Sequence, residues 1–333
     1  DLIIKIKEPI RAEYYWLDLF EGKTLFTYLH LSGVEKSLTE KLMERNITGI
    51  AYETVEDEKG KLPLLAPMSD VAGVLAIQYG AQYLQKKYNG FGKTLGYIPN
   101  TDPAYTVIVG GGHVGKAALL TAAGMGAKVA LITRSQSTVD RLKKEALELL
   151  GKHLYSNVQI FQSTPEILAE ELKKADLVVG GVLVAGAKAP QVIKEEHVKS
   201  MKKGTVIVDV AIDQGGSVWG SKATTHENPI YEIEGKIFCC VANMPGQVSR
   251  QSTQALTSAT LPYIQKIGKM GVMGALKADP GFMKGLNTYQ GKITYEAVAK
   301  DLKMTSFFQQ TSTMEVKIKN VVSKKNVGVH ASA

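Results

Sequence analysis

The sequence contains little cysteine, no long hydrophobic run and no dense basic block. Its two cysteines, Cys239 and Cys240, are adjacent, so they cannot build the disulfide framework on which small secreted domains depend. No apolar stretch is long enough to cross a bilayer, and the first residues lack the pattern of a signal peptide. These absences argue against a disulfide-rich secreted domain and against a membrane protein, and we expect a cytoplasmic protein.

Basic residues are in excess but scattered. The 40 lysines and arginines outnumber 32 acidic residues and give a net charge of +8. Nucleic-acid-binding domains concentrate basic residues in one patch, whereas here they occur on apparent solvent faces such as 141–144 and 194–203. We therefore expect no nucleic-acid partner and interpret the positive balance as solvated surface.

A glycine-rich stretch in the middle of the chain has the sequence of a dinucleotide-binding turn. The β-branched run Thr106–Val109 is followed by Gly110, Gly112 and Gly115 in the spacing G-x-G-x-x-G. The first glycine allows a tight turn, the second lets the backbone approach a pyrophosphate, and the third lets the next helix pack on the strand. A helix-forming segment and a second strand, Lys128–Thr133, follow, which is the context that this motif requires.

Strand-like runs recur through this region, and helical patterns separate most of them. The predicted strands are Thr106–Val109, Lys128–Thr133, Val158–Phe161, Asp176–Val179, Thr205–Ala211 and Ile237–Val241. This alternation predicts an α/β fold with a central doubly wound parallel sheet, in which ligands bind beyond the carboxyl ends of the strands.

The regions on either side of this sheet predict a second domain assembled from both ends of the chain. The elements expected before the glycine-rich strand are the strands Asp1–Lys7, Thr24–Leu31 and Ile50–Glu53 and the helices Ser37–Arg45 and Asp70–Tyr88. Near the other end we expect a helix, Ser252–Ile267, that Pro262 kinks or breaks. The predicted division is a dinucleotide-binding domain at 92–246 and a substrate domain at 1–91 and 247–312.

The position that usually selects between NAD and NADP carries no carboxylate. In dinucleotide-binding domains an acidic residue about 20 residues beyond the glycines binds the adenosine ribose. Here that place is occupied by Thr133, Arg134 and Ser135. An arginine between two hydroxyls suits a 2′-phosphate, so the sequence predicts that NADP is tolerated or preferred. Asp140 is the alternative ribose ligand and would favour NAD.

Two side chains lie where protons could be exchanged with a bound substrate. Asp213 follows the strand Thr205–Ala211 at the sheet edge where ligands bind. From its position alone it is either a proton-transfer group or a turn residue that satisfies the local backbone. His30 ends the apolar run Thr24–Leu31, where it is either a catalytic group or a packed residue at the end of a strand.

Several long blocks of the chain resemble the alanine dehydrogenase family. The blocks are KIKEP (Lys5–Pro9), LFTYLHL (Leu25–Leu31), AYETVEDEKGKLPLLAPMSDVAG (Ala51–Gly73), VGGVLVAGAKAP (Val179–Pro190), IVDVAIDQGG (Ile207–Gly216) and VANMPG (Val241–Gly246). They extend over nearly the whole chain to about Gln310 and are more specific than the glycine motif. The resemblance implies two Rossmann-like domains with a cleft between them. It also implies reversible conversion of pyruvate and ammonia to L-alanine with NAD or NADP.

The resemblance implies roles for particular residues. Lys7 matches the lysine that holds the substrate carboxylate, His30 the histidine that acts on the carbonyl or carbinolamine oxygen, and Asp213 the second proton-transfer residue. Besides the glycines and Asp213, the positions that match the family's dinucleotide contacts are Ser69, His113, Val114, Ser163, Val182, Leu183, Val210, Ala211, Ile212, Lys222, Val241, Ala242, Asn243 and Met244. No metal site is expected, and the family implies a homo-oligomer.

The sequence leaves three other functions open. The first is the NAD(H)-binding component of a proton-translocating transhydrogenase, although the histidine of LFTYLHL and the setting of Lys7 favour the enzyme. The second is an NADPH-dependent N-carboxyalkyl amino acid synthase, which condenses an amino acid with pyruvate. The third is a non-catalytic scaffold.

Both ends of the chain depart from the family pattern. The family's opening strand and helix, with an arginine that grips the substrate carboxylate, have no counterpart before Asp1, so we expect an N-terminally incomplete chain. Residues 313–333 form a basic tail of unknown role beyond the family's usual end. The tail faintly resembles the first strand and histidine loop of the phosphocarrier protein of sugar phosphotransferase systems, which would make His330 a phosphorylation site.

Overall fold

The computed structural model describes residues 1–184 and 186–311, which fall into two compact units. The first unit comprises Asp1–Leu65, residues 186–187 and the described residues from Thr260 onward, and the second comprises Ala66–Val184 and Lys188–Ala259. The tail 313–333, with His330, lies outside the described residues. None of the described helices combines the length and apolarity needed to cross a membrane.

Strands and helices alternate along most of the described chain. The strands are β1 (Leu2–Ile4), β2 (Thr24–Thr27), β3 (Thr48–Ala51), β4 (Tyr105–Val109), β5 (Lys128–Thr133), β6 (Val158–Gln162), β7 (Leu177–Gly180), β8 (Val206–Asp209), β9 (Ile230–Ile233), β10 (Lys236–Cys239), β11 (Leu286–Tyr289) and β12 (Lys292–Ile293). The α-helices are α1 (Tyr14–Leu17), α2 (Lys36–Glu44), α3 (Ala66–Tyr83), α4 (His113–Met125), α5 (Gln136–Tyr155), α6 (Pro165–Lys174), α7 (Glu195–Ser200), α8 (Ser249–Ala278), α9 (Pro280–Met283) and α10 (Glu296–Asp301). Two short 3-10 helices, Tyr52–Thr54 and Val210–Gln214, bear on the site.

The second unit is built on a seven-stranded sheet in the order β6-β5-β4-β7-β8-β10-β9. Neighbouring strands are parallel except for β10 and β9, which form an antiparallel pair at one edge. The strand order reverses beside β4, which places a ligand crevice beyond the carboxyl ends of β4 and β7. The predicted doubly wound α/β sheet is therefore confirmed.

The strands of this sheet are nearly continuous apolar runs because helices cover both of its faces. Alternate residues of a strand point to opposite faces, so Ile108 packs into one hydrophobic cluster and Val107 into the other. The same alternation separates the two cysteines: Cys239 lies in the first cluster and Cys240 in the second, and both are buried free thiols.

Helix α3 belongs to the second unit, which differs from the predicted domain boundary at residue 92. The helix packs closely on α4 because Gly73 has no side chain; a Cβ there would lie 2.4 Å from the carbonyl oxygen of Val114. At Gly80 a Cβ would lie 2.4 Å from a methyl group of Leu177 in β7. These contacts hold α3 against the dinucleotide-type sheet, and the division falls after Leu65 and, at the other end, after Ala259 rather than residue 246.

The first unit contains a five-stranded sheet in the order β1-β2-β3-β11-β12, in which β1, β2 and β3 are parallel and β11 is antiparallel to both neighbours. β1 and β2 are shorter than predicted and end at Ile4 and Thr27, whereas β3 has the predicted length but begins and ends two residues earlier, at Thr48 and Ala51. The chain leaves β2 early because side-chain contacts replace sheet pairing there: the buried Glu53 accepts hydrogen bonds from the backbone N–H groups of Leu29 and His30.

Helix α8 is longer than predicted, and it is interrupted at Gly271 and not at Pro262, where a kink or break was expected. Pro262 lies inside the helix, whereas the backbone leaves helical angles at Gly271, with φ 69° and ψ 166°. A glycine adopts positive φ without the steric cost that other residues bear, which explains why the helix breaks at that position.

Candidate functional site

The turn after β4 shows why two of its glycines are required. Gly110 has a φ of +118°, and a Cβ there would lie 2.5 Å from the carbonyl oxygen of Gly181. A Cβ on Gly115 would lie 1.8 Å from the carbonyl oxygen of Gly110. These glycines let α4 begin close behind β4, as the G-x-G-x-x-G spacing requires.

Gly112 has a different environment, because no atom of residues 1–184 or 186–311 fills the space beside it. Its backbone is extended, with φ −80° and ψ −160°, which any residue can adopt, and a Cβ there would meet no atom within 4 Å. Helix α4 has 13 residues and begins at the next position, so its unpaired N–H groups and positive end lie at this space. We call this space, between Gly112 and the start of α4, the phosphate cradle. It fits the diphosphate of a dinucleotide.

Three further predicted contacts surround the start of α4. Nδ1 of His113 lies 3.0 Å from Oδ1 of Asp70, and both side chains are about half exposed. Val114 is buried beneath the turn, and Ser69 lies beside Asp70 in the first turn of α3. The diphosphate space is therefore bordered by an imidazole with a carboxylate partner.

The end of β5 leaves one of the three predicted ribose-binding residues at the surface. Thr133 is buried, and a Cβ on Gly111 would lie 2.5 Å from its Oγ1, so Thr133 packs beneath the glycine turn. Ser135 caps α5: its Oγ accepts a hydrogen bond from the backbone N–H of Thr138 at 3.3 Å. Arg134 is exposed and stays the candidate for a 2′-phosphate.

Asp140, the alternative ribose ligand, and Arg141 both lie on α5. Oδ1 of Asp140 accepts a hydrogen bond from Gln136 at 2.8 Å within the helix. Nη2 of Arg141 donates to the carbonyl oxygen of Gly111 at 3.2 Å, so this arginine is not the purely solvated residue that the sequence suggested. No local signal predicts this contact, because its partners are 30 positions apart.

A buried aspartate that the sequence analysis missed organises the loop that carries Asp213. Asp209 ends β8 with no exposed surface, and its carboxylate accepts hydrogen bonds from the backbone N–H groups of Ala211, Ser217 and Val218 and from the hydroxyls of Ser217 and Ser221. Burial raises the pKa of Asp209 even though five donors favour the charged form. β8 therefore stops at this residue, two positions earlier than predicted, and a 3-10 helix carries Asp213.

The remaining predicted dinucleotide contacts follow the carboxyl ends of strands in the same sheet. They are Ser163 after β6, Val182 and Leu183 after β7, Val210, Ala211 and Ile212 after β8, Lys222 further along that loop, and Val241, Ala242, Asn243 and Met244 after β10. Leu183 is 39% exposed, so its side chain is accessible at this edge of the sheet. Asn243 has a φ of 56°, a left-handed conformation that asparagine tolerates.

His30, in the first unit, is surrounded by two carboxylates and an aromatic ring. Its backbone is in the left-handed region, with φ 46°, and Oε1 of Glu53 accepts a hydrogen bond from its N–H at 2.6 Å. Its Nδ1 lies 3.0 Å from Oε2 of Glu8, and the Tyr28 ring stacks on the imidazole with centroids 5.4 Å apart. Lys7, the predicted substrate-carboxylate residue, lies 3.6 Å from the same oxygen of Glu8.

The charges around His30 oppose the effect of burial. Burial lowers the pKa of His30, but the carboxylates of Glu53 and Glu8 outweigh it and hold that pKa above its ordinary value. For Glu8 burial acts in the other direction and raises the pKa, because it disfavours the charged carboxylate. The hydrogen bond with His30 and the charge of Lys7 outweigh burial and lower the pKa of Glu8 to about 2. An imidazole held in this way can exchange a proton near neutral pH.

The predicted residues are thus distributed over both units. The phosphate cradle, the end of β5 and the loops after β6, β7, β8 and β10 belong to the second unit, as does Asp213. Lys7 and His30 belong to the first unit. The convergence of His30 and Asp213 on one substrate stays a prediction. Among residues 1–184 and 186–311, no group of three or more histidine, cysteine, aspartate or glutamate side chains is arranged to hold a metal ion.

Comparison with known families identifies the family of both parts of the chain. Residues 1–72 match the family model of the alanine dehydrogenase/PNT N-terminal domain, and residues 76–296 match that of the C-terminal domain. The chain belongs to the alanine dehydrogenase/PNT family. The resemblance seen in the sequence blocks is therefore confirmed.

Similar proteins include curated and solved members of the alanine dehydrogenase/PNT family. Alanine dehydrogenase from Methanococcus maripaludis is 50% identical over 302 residues, which are 90% of this chain and 78% of the relative. That from Mycolicibacterium smegmatis is 45% identical, covering 91% of this chain and 79% of the relative. A solved L-alanine dehydrogenase is 40% identical with a TM-score of 0.78, covering 91% and 80% of the two chains. A transhydrogenase from Sinorhizobium meliloti, 18% identical with a TM-score of 0.70 over 88% of this chain and 81% of that one, shares the fold.

Proposed function

We propose that this chain catalyses the reversible reductive amination of pyruvate to L-alanine with a nicotinamide cofactor. Curated relatives that are 43–50% identical over about 90% of the chain are alanine dehydrogenases, which supports this reaction. The observation that carries the proposal is the His30 imidazole, whose Nδ1 lies 3.0 Å from a carboxylate oxygen and whose pKa is raised. Addition of ammonia to a ketone and loss of water need such a group, because the substrate oxygen takes up a proton at each stage.

Each proposed residue has a distinct task. The ammonium group of Lys7 pairs with the substrate carboxylate and orients the keto carbon. His30 donates a proton to the carbonyl oxygen as the carbinolamine forms and a second proton when that oxygen leaves as water. Asp213 is the second proton-transfer residue that the family resemblance implies, and Asp209 holds its loop in place. When bound, the nicotinamide supplies the hydride that reduces the resulting iminium carbon.

An initial-rate assay tests this function against its alternatives. Turnover with pyruvate and ammonium, but not with pyruvate and ornithine or lysine, supports alanine dehydrogenase. Turnover only with ornithine or lysine would instead identify an N-carboxyalkyl amino acid synthase. Tight dinucleotide binding with no turnover under either condition would point to a transhydrogenase-type component or a scaffold.

The chain is further proposed to accept NADP. Support comes from the exposed Arg134 at the end of β5, where the usual carboxylate is missing. R134D is expected to weaken NADPH binding by about 10- to 100-fold, since it removes a charged hydrogen bond to the 2′-phosphate and adds a repelling charge. Fluorescence titration with NADH and NADPH measures the two binding affinities. K143D is the control, because it makes the same charge reversal at an exposed position on α5. Equal NADPH affinity of R134D and the parent would contradict the proposal.

We also propose a homo-oligomeric assembly and a cytoplasmic location. The family resemblance implies a homo-oligomer, for which closed symmetry is the common form, and light scattering of the purified chain tests this expectation. Two buried free thiols suit a reducing compartment such as the cytoplasm.

A further inference from the structure

We propose that Glu53 and Glu8 are positioning residues for His30: Glu53 fixes its main chain, and Glu8 fixes the orientation of its ring. This inference rests on the proposed role of His30 in proton transfer. Both carboxylates act through His30: Glu53 through its backbone N–H and Glu8 through its imidazole.

Glu53 reaches the main chain on the side of β2 where sheet pairing has ended. It is 2% exposed, and its carboxylate accepts hydrogen bonds from the N–H of Leu29 at 3.2 Å and of His30 at 2.6 Å. A histidine at φ 46° occupies a sparsely populated region that persists only where its surroundings enforce it. Two N–H groups anchored by one buried carboxylate supply that constraint.

Glu8 reaches the ring from the loop after β1. Its Oε2 lies 3.0 Å from Nδ1 of His30, and a carboxylate in this position favours the tautomer with the proton on Nδ1. Nε2 is then the ring nitrogen that gains and loses the transferred proton. The stacked Tyr28 ring limits rotation of the imidazole, and the Tyr28 hydroxyl donates to the carbonyl oxygen of Leu64 at 2.5 Å.

The charged groups facing His30 act in opposite directions. Glu53, on the 3-10 helix after β3, and Glu8 favour the imidazolium, whereas burial and the charge of Lys7 disfavour it. Because burial is the largest single influence, removing both carboxylate charges should bring the pKa of His30 from above its ordinary value to below it. This reversal in the direction of the pKa shift of His30 is the most specific consequence of placing two carboxylates beside a buried imidazole.

The test is a titration of the His30 ring by ¹H–¹⁵N NMR in the full chain, with E53Q, E8Q and the double variant. Glutamine keeps the size and a carbonyl acceptor but removes the charge. Each single variant is expected to lower the pKa of His30, and the double variant to bring it below its ordinary value. E56Q is the matched control, because Glu56 lies three residues beyond Glu53 but pairs with Lys284 at 2.6 Å.

Turnover gives a second readout. In the amination direction kcat falls as pH rises through the pKa of His30, because the donor form is lost. E53Q and E8Q should therefore move this fall to lower pH, while the dinucleotide Kd stays unchanged. If E53Q does not fold, E8Q carries the test alone, because its carboxylate is nearer the surface.

An unchanged pKa of His30 in E8Q, and in E53Q where it folds, would overturn the inference. This outcome is distinct from failure of the proposed function, which is tested by turnover of the H30N variant. If H30N retains full turnover while the carboxylate variants still lower the pKa of His30, the structural inference stands and the catalytic role is lost.

Discussion

We expect H30N to lower kcat for pyruvate amination by about 10²- to 10⁴-fold and to leave the dinucleotide Kd within about twofold of the parent value. The loss of kcat is the largest effect that we expect of any variant. Asparagine is chosen because it tolerates the left-handed backbone that His30 adopts at φ 46° and can still donate a hydrogen bond to Glu8. It cannot titrate near neutral pH, so proton transfer to the substrate oxygen is lost while the fold is kept. Stopped-flow reduction and steady-state rates measure the effect.

The matched control for this variant is H153N. His153 is exposed on α5 in the second unit, so the same exchange there should leave kcat unchanged. Turnover of H30N within about threefold of the parent would remove His30 from the mechanism. The family assignment and the phosphate cradle would be unaffected by that result.

The second large effect is expected from G112A, which should weaken dinucleotide binding by about 100-fold or more. Its Cβ meets no atom of the described part of the chain within 4 Å, and the backbone at φ −80° accepts alanine, so the variant should fold normally. The added methyl group instead occupies the space in which the diphosphate approaches the start of α4. A loss of about 2.7 kcal/mol corresponds to this change in Kd, which calorimetry or fluorescence titration measures.

G124A provides the matched control on the same helix. Gly124 is exposed near the end of α4, and a Cβ there also meets no atom within 4 Å. Alanine is the better helix former, so this variant should gain about 0.5–1 kcal/mol in free energy of unfolding without losing cofactor affinity. Dinucleotide binding by G112A equal to that of G124A would show that the phosphates do not approach the chain at this glycine.

The sheet of the second unit could be predicted because its strands are buried on both faces. Runs such as Thr106–Val109 and Lys128–Thr133 are apolar and β-branched, and glycine turns separate them from helices, so local sequence decides the structure. The edge strand β9 was missed because Ile230–Ile233 is short and includes a glutamate. The boundary at Leu65 was missed because it depends on close packing at Gly73, which leaves no periodic signal.

The candidate site was predicted less completely than the fold. Motif positions nominate the glycines, His30 and Asp213 as candidates, since these residues occur in recognisable blocks. Glu8 and Glu53 could not be assigned from local patterns, because their contacts with His30 join residues 22 and 23 positions apart. In the sequence, Asp209 is a single polar residue within an apolar strand. Its role could not be predicted, because its hydrogen-bond donors Ser217 and Ser221 lie on a loop that folds back over it.

Cys239 and Cys240 are buried on opposite faces of the sheet in the second unit, so their reactivity with a thiol reagent measures how often that unit opens. Burial raises the pKa of Cys239 to about 12 and raises that of Cys240 as well, so neither thiol forms much reactive thiolate at neutral pH. They are the two cysteines of the whole sequence, and an alkylating reagent should therefore react only when the second unit opens. Because a ligand that binds the closed form suppresses opening, added dinucleotide should slow alkylation in proportion to its occupancy.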